Sequence, residues 1–201
     1  MKKGKLLVLS GPSGVGKGTI VNELMKRRDD LCFSVSATTR DPRPGEVDGV
    51  SYFFVSKERF EEMIANEELL EYAQFVSNSY GTPRAYVESK LEQGMNVILD
   101  IEIQGARNVC RMIPDAVSVY IIPPCYEELE KRLRGRGTET EEQIQGRLHT
   151  AIHEAEAADF YRYIIVNNQL EDAVNELDAI ITAEQCGYET RKNILKEVFK
   201  L

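Results

Sequence analysis

Nine consecutive residues, Gly11-Pro12-Ser13-Gly14-Val15-Gly16-Lys17-Gly18-Thr19, restrict this chain's fold more than any other stretch. Glycines at the first and sixth places and lysine at the seventh match a phosphate-binding loop. Residues 5–10 ahead of it form a short apolar run suited to a strand buried on both faces. Behind it Ile20, Val21, Leu24 and Met25 recur at helical spacing within 19–28. Strand, glycine loop and helix, in that order, are the context such a loop requires. Its backbone must bend through positive φ and close its N–H groups on phosphate oxygens. The helix N-terminus adds partial positive charge, and Lys17 reaches the terminal phosphates as a mobile point charge. An ordinary glycine-rich turn is the plainer alternative, and the flanks weigh against it. One place departs from the general pattern. Where a hydroxyl usually follows the lysine to hold magnesium stands Gly18, with Thr19 next. The metal's protein ligand is therefore unknown: nucleotide oxygens and water hold the ion, or Thr19 contributes.

A chain of 201 residues suits one domain with inserted lobes and can bury a proper core. With 42% hydrophobic and 29% charged residues it has an ordinary globular composition. The net charge of −8 argues against a general nucleic-acid or membrane-surface binder. An acidic protein that binds polyanions must gather its arginines and lysines in one cleft. The four cysteines, Cys32, Cys110, Cys125 and Cys186, lack the paired spacing of zinc or redox motifs. Residues 1–3 ahead of the 6–9 run faintly resemble a signal peptide, but the run is too short. No stretch approaches transmembrane length. The expectation is a cytoplasmic protein, monomer or homodimer.

Five apolar runs predict buried strands at 6–10, 32–36, 97–101, 117–122 and 163–166. Helical patterns between several of them predict an α/β fold, a parallel sheet wrapped by helices. Two connections are too long for simple crossovers. The first, 37–96, holds an arginine-rich turn, a strand at 51–55, a helix at 57–66, a strand at 72–76 and a helix at 85–93. The second, about 125–158, holds a helix at 127–134 and another to about 158. Thr140 and Gln143 form a capping box for that second helix, whose apolar stripe is Ile144, Leu148, Ala151 and Ala155. A core sheet with two lobes is the layout of an enzyme that closes over its substrates. Residues 188–201 read as a charged amphipathic segment that docks on the core or on a partner subunit.

Several side chains suit phosphoryl chemistry. Arg40 and Arg43 flank Asp41-Pro42, and arginine holds phosphate by paired donors in fixed geometry. Tyr52 and Tyr80 offer phenolic donors. Asp100 ends a strand run, at the edge where open α/β sheets bind ligands. There it orients magnesium-bound water or an arginine, or else serves as a helix cap or salt bridge. Arg136, between two glycines, and Arg147, eleven residues on, suit a cationic clamp on the transferring group. Each arginine also has the plainer reading of a solvated surface charge.

The loop at 11–19, the block Ser34-Val35-Ser36-Ala37-Thr38-Thr39-Arg40-Asp41-Pro42-Arg43-Pro44-Gly45-Glu46, the triplet Tyr80-Gly81-Thr82 and the run Arg134-Gly135-Arg136-Gly137-Thr138-Glu139 together resemble guanylate kinase. Gly-Lys-Gly-Thr is similar to the loop ending of kinases acting on nucleoside monophosphates. The match spans about residues 4–184, leaving 185–201 as a helical tail. The resemblance implies a P-loop kinase core with a GMP-binding lobe (about 37–96) and a lid over ATP (about 125–158). It implies transfer of a phosphoryl group from ATP, with Mg2+, to GMP and dGMP, in purine nucleotide metabolism and GMP recycling. It assigns Arg40, Arg43, Tyr52 and Tyr80 to the GMP phosphate. It sets Ser36, Glu71, Thr82, Asp100 and Glu102 around the base and nearby groups, with Asn168 beside the ATP adenine. Glu102 stands where many relatives have Asp. Lys17, Arg40, Asp100, Arg136 and Arg147 become the catalytic set. Guanine's N1–H and exocyclic amine are adjacent donors that one carboxylate accepts together, and Thr82 or Ser36 can donate to O6. Adenine has the opposite polarity there, so a site built on Glu71 rejects AMP. Two rival functions remain: a protein-binding module that has lost catalysis, and a kinase for another monophosphate. The intact loop speaks against the first, and Glu71 with Ser36 against the second.

Overall fold

The computed structural model describes residues 3–75, 77–135, 137 and 139–200, with the side chain of residue 75 left aside. In chain order the strands are β1 (Leu6–Ser10), β2 (Leu31–Phe33), β3 (Ala37–Thr38), β4 (Phe53–Phe54), β5 (Leu69–Phe75), β6 (Asn78–Pro83), β7 (Asn96–Asp100), β8 (Val117–Ile122) and β9 (Tyr163–Val166). The helices are α1 (Lys17–Met25), α2 (Lys57–Ala65), α3 (Arg84–Glu92), α4 (Ile103–Met112), α5 (Tyr126–Arg134), α6 (Glu141–Glu156), α7 (Leu170–Cys186) and α8 (Tyr188–Phe199). The fold is α/β, with a five-stranded parallel sheet in the order β2-β7-β1-β8-β9. A second sheet, β4-β3-β6-β5, is mixed: β3 runs parallel to β4 and antiparallel to β6.

The chain divides into two compact units, one of Met1–Val8 and Cys32–Ala116, the other of Leu9–Leu31 and Val117–Leu201. In the first unit, β5 and β6 form the long antiparallel pair of the small sheet. Phe60 and Met63 of α2 pack with Ala37 and Leu69, and Phe53, Val55 and Ile64 close over them. Ser56 caps α2, its hydroxyl accepting from the Arg59 N–H at 3.1 Å. In the second unit, β8 and β9 pair in parallel register from Val119 opposite Tyr163 to Ile122 opposite Val166. Leu129 and Leu133 of α5 bury against Ile144, Leu148 and Ala151 of α6. Each leucine or isoleucine among them contributes about 1.5–3 kcal/mol of transfer free energy. The Thr140–Gln143 capping box opens α6 with both reciprocal bonds present.

Four sequence expectations change. The strand expected at 32–36 splits: β2 stops at Phe33, and the Ser36 carbonyl accepts from the Phe53 N–H at 2.9 Å as the chain moves to the small sheet. The strand expected at 51–55 shortens to Phe53–Phe54. Ala155, assigned to the apolar stripe of α6, is exposed. The tail boundary at 185 falls inside α7, which continues to Cys186. Residues 136 and 138, and 76 at the end of the expected 72–76 strand, lie outside the described residues. Among the described residues no helix is long and apolar enough to cross a membrane.

Candidate functional site

The glycine loop lies in the second unit and is shaped by close approaches. Gly11 has φ 151°, and a Cβ there would sit 2.2 Å from the Ile121 carbonyl oxygen of β8. No side chain fits between the two backbones. Gly16 is the left-handed N-cap of α1 at φ 96°, where a Cβ would meet the Asn167 amide nitrogen at 2.6 Å. Helix α1 then starts at Lys17, presenting to the loop the first-turn N–H groups that have no partner inside a helix. The Lys17 ammonium donates to the Gly11 carbonyl at 2.6 Å, folding back across the loop. Gly18 and Thr19 are exposed, with open space around Gly18.

Two side chains anchor the loop that sequence reasoning did not single out. The Val15 carbonyl accepts from the Asn167 amide at 2.7 Å and from Arg132 Nη1 at 3.3 Å. Arg132 Nη2 also donates to the Asn167 carbonyl at 3.0 Å, and Nε to Glu128 at 2.9 Å. In a trans peptide the N–H points opposite to the C=O. Holding the Val15 carbonyl on one side therefore aims the Gly16 N–H the other way. Asn168, expected near the adenine, is exposed and gives its N–H to the Val166 carbonyl at 2.9 Å; its neighbour Asn167 is the buried one. Arg147 of α6 donates through Nη1 to the Ser13 hydroxyl at 2.7 Å, and its Nε lies 2.9 Å from the Glu139 carboxylate. It thus reaches the glycine loop, whereas Arg136 lies outside the described residues.

The first unit gathers the residues expected around GMP in two clusters. Arg40 donates to both oxygens of Glu46, at 2.8 and 2.9 Å, and to the Asp41 carbonyl at 2.6 Å. Its guanidinium carbon stands 5.4 Å from the Tyr52 ring centroid and 5.9 Å from that of Phe54. The Tyr52 and Tyr80 rings meet edge to face at 6.1 Å. Arg43 gives its backbone N–H to Glu46 at 2.7 Å and leaves its side chain exposed. Glu46, read only as part of the motif, is the residue that ties this turn.

In the other cluster the buried Thr82 hydroxyl donates to Glu71 Oε1 at 2.6 Å. A Cβ on Gly105 would lie 3.2 Å from Glu71 Oε2, so α4 passes close by the second oxygen. Burial pushes the Glu71 carboxyl above its ordinary range; the Thr82 bond pulls it down and the nearby Glu102 charge adds to the rise. Glu102 is the exposed N-cap of α4, Asp100 ends β7 with its side chain exposed, and Ser36 is half-buried ahead of β3. The structure thus joins Arg40 to Glu46 and to the Tyr52 ring beside Tyr80, brings in Arg43 through its backbone N–H alone, and sets Glu71 on Thr82 with Glu102 nearby.

Comparison with known proteins identifies the family to which the chain is similar. The family model described as guanylate kinase matches residues 3–184. The chain is 50% identical over 200 residues to guanylate kinase of Clostridioides difficile, covering 100% of this chain and 98% of that protein. It is 54% identical over 181 residues to guanylate kinase of Trichodesmium erythraeum, covering 90% of this chain and 97% of the relative. The crystal structure of guanylate kinase from Anaplasma phagocytophilum superposes with a TM-score of 0.73 at 34% identity, covering all of this chain and 97% of that one.

Proposed function

We propose a division of labour among the site residues of a chain that belongs to the guanylate kinase family and phosphorylates GMP with ATP. In this reading Gly11–Thr19 takes the ATP phosphates on its N–H groups, with Lys17 leaving the Gly11 carbonyl for the terminal phosphate oxygens. Arg40, Arg43, Tyr52 and Tyr80 hold the GMP phosphate. A GMP phosphate oxygen, already ionised at neutral pH, attacks the γ-phosphorus; the bond from that phosphorus to the β–γ bridging oxygen breaks, and ADP leaves. No covalent enzyme intermediate forms. Charge on the equatorial oxygens is met by Lys17, Arg147 and Arg136.

Mg2+ suits an oxygen-rich donor set. Gly18 supplies no hydroxyl, so phosphate oxygens and water carry most of its coordination, and Thr19 is the loop's one remaining hydroxyl candidate near that place. Bound there, the ion neutralises charge on the transferring phosphates. Asp100 orients its water or an arginine.

The observation that carries base selection is the Glu71–Thr82 pair. With Oε1 accepting from Thr82, the group is held to receive guanine's N1–H and amine, while O6 takes its proton from Ser36, or from Thr82 once its single hydroxyl proton turns away from Glu71. Asp100 and Glu102 border the same base, and Asn168 the adenine of ATP. We assign residues 37–96 to the GMP lobe, 125–158 to the lid and 187–201, beyond the end of α7, to a tail. The protein acts in the cytoplasm as a monomer or homodimer, in GMP recycling, with dGMP as a second acceptor and no role for nucleic acid or membrane. An ADP-release assay with ATP, Mg2+ and GMP, dGMP or AMP tests this. Turnover with GMP and dGMP and none with AMP is expected; AMP turnover matching GMP would overturn the role of Glu71.

A further inference from the structure

The two histidines of the 201-residue chain both lie on α6, four residues apart. Places i and i+4 share one helix face. The His149 and His153 rings meet edge to face with centroids 4.4 Å apart, and their Nε2 atoms stand at hydrogen-bond distance, 3.3 Å, one ring donating to the other as the tautomers decide. Both side chains are exposed. On the far side of His153, Nδ1 lies 3.4 Å from the Glu156 carboxylate. Phosphoryl transfer uses none of these groups.

Two imidazole nitrogens this close form a chelate once both rings carry their proton on Nδ1 and an ion takes the place of the hydrogen bond. At a metal–nitrogen distance of about 2.0–2.1 Å, a separation of 3.3 Å subtends about 107° at the metal, close to tetrahedral. A square-planar ion with adjacent ligands needs nitrogens only about 2.9 Å apart. The same spacing of histidines on a helix supplies two ligands in H-E-x-x-H zinc sites. A carboxylate behind a ligating histidine takes the ring's other N–H and fixes its tautomer, which is the place Glu156 occupies.

The geometry points to His149 and His153 as a surface zinc(II) site, with Glu156 orienting His153 and water completing the tetrahedron. Among the described residues no group of three or more metal-ligating side chains gathers, so this is an exchangeable site rather than a structural one. A bound ion spans one turn of α6, the helix that carries Arg147, and ties its last turns together.

Calorimetric titration of untagged, chelator-washed protein with Zn2+ alone tests the assignment. One ion per chain is expected, with affinity at least tenfold weaker in H149A and in H153A and no site in H149Q/H153Q. Glu156→Gln weakens binding about tenfold, the usual effect of losing such a carboxylate. Cobalt(II) substitution gives the intense visible bands of tetrahedral coordination. Kinase activity with Mg2+ stays at the wild-type level in each variant, which also shows that they fold. Equal Zn2+ binding in H149Q/H153Q, as from the four thiols, overturns the proposal, as does wild type without a saturable site. A weak, octahedral cobalt spectrum overturns the tetrahedral assignment.

Discussion

Arg40 gives one guanidinium nitrogen to both oxygens of Glu46, at 2.8 and 2.9 Å. The same carboxylate accepts the Arg43 N–H, so one acidic side chain ties both arginines of the turn. The Arg40 bond first, and the Arg43 N–H second, hold the Glu46 carboxyl below its ordinary range. A carboxyl lowered by folding adds stability above its unfolded value and loses it as pH falls through the folded one. The turn therefore stays tied at neutral pH and loosens only in acid, below the ordinary carboxylate value of 4.5.

Glu46→Gln leaves the shape of the turn and removes the charge that positions Arg40. KM for GMP should rise about tenfold, equivalent to about 1.4 kcal/mol, while kcat changes by less than about threefold. Steady-state kinetics varying GMP at saturating ATP checks this, and a change in kcat alone would contradict it.

Glu71→Gln separates stability from binding. An amide cannot accept both guanine donors, so GMP affinity should fall at least about tenfold. A carboxyl raised by burial stabilises the fold below its unfolded value, and that contribution is lost as pH rises through the folded one. The variant without nucleotide should accordingly melt above wild type at pH 7.5, the gap narrowing toward pH 4.5. Melting curves across that range, beside GMP titrations, decide it.

Lys17→Ala should lower kcat about 10²–10³-fold, the usual effect of losing one transition-state charge contact. GMP binding should stay near wild type, because the GMP phosphate is assigned to Arg40, Arg43, Tyr52 and Tyr80. Equilibrium binding of GMP to this variant is the check; a large loss would contradict separate phosphate sites.

Arg132→Met keeps an unbranched apolar stem and deletes the guanidinium bonds to the Val15 and Asn167 carbonyls. Losing charged hydrogen bonds of about 1.5–3 kcal/mol should raise KM for ATP roughly tenfold or more and leave KM for GMP unchanged. Equal effects on both substrates would mean a general loss of fold instead.

Much of this layout was legible in the residues. β1, β8 and β9 occupy the predicted apolar runs, and the Thr140–Gln143 box marks the start of α6. The glycine loop announces itself because backbone shape demands particular residues at fixed spacing. β6 was missed because Asn78–Pro83 is rich in turn-forming residues, and pairing with β3 and β5 overrides that preference. α4 and α7 were not placed: Glu102 and Gln169 start them without a side-chain cap, so the usual opening signal is missing. Arg132 and Asn167 left no local trace, since each acts through a tertiary contact with a distant carbonyl. Which of the two adjacent asparagines, 167 and 168, is buried depends in the same way on the packing of the loop.

The anchoring of the Val15 carbonyl has a consequence for biosynthesis. Its donors arrive 117 and 152 residues later in the chain. A ribosome that has made the glycine motif has made a flexible segment with the right composition and no fixed curvature. The loop acquires its set form only when residue 132, and then residue 167, have emerged and packed. Until then the Val15 carbonyl has neither of these two side-chain donors, and the Gly16 N–H is not aimed by them.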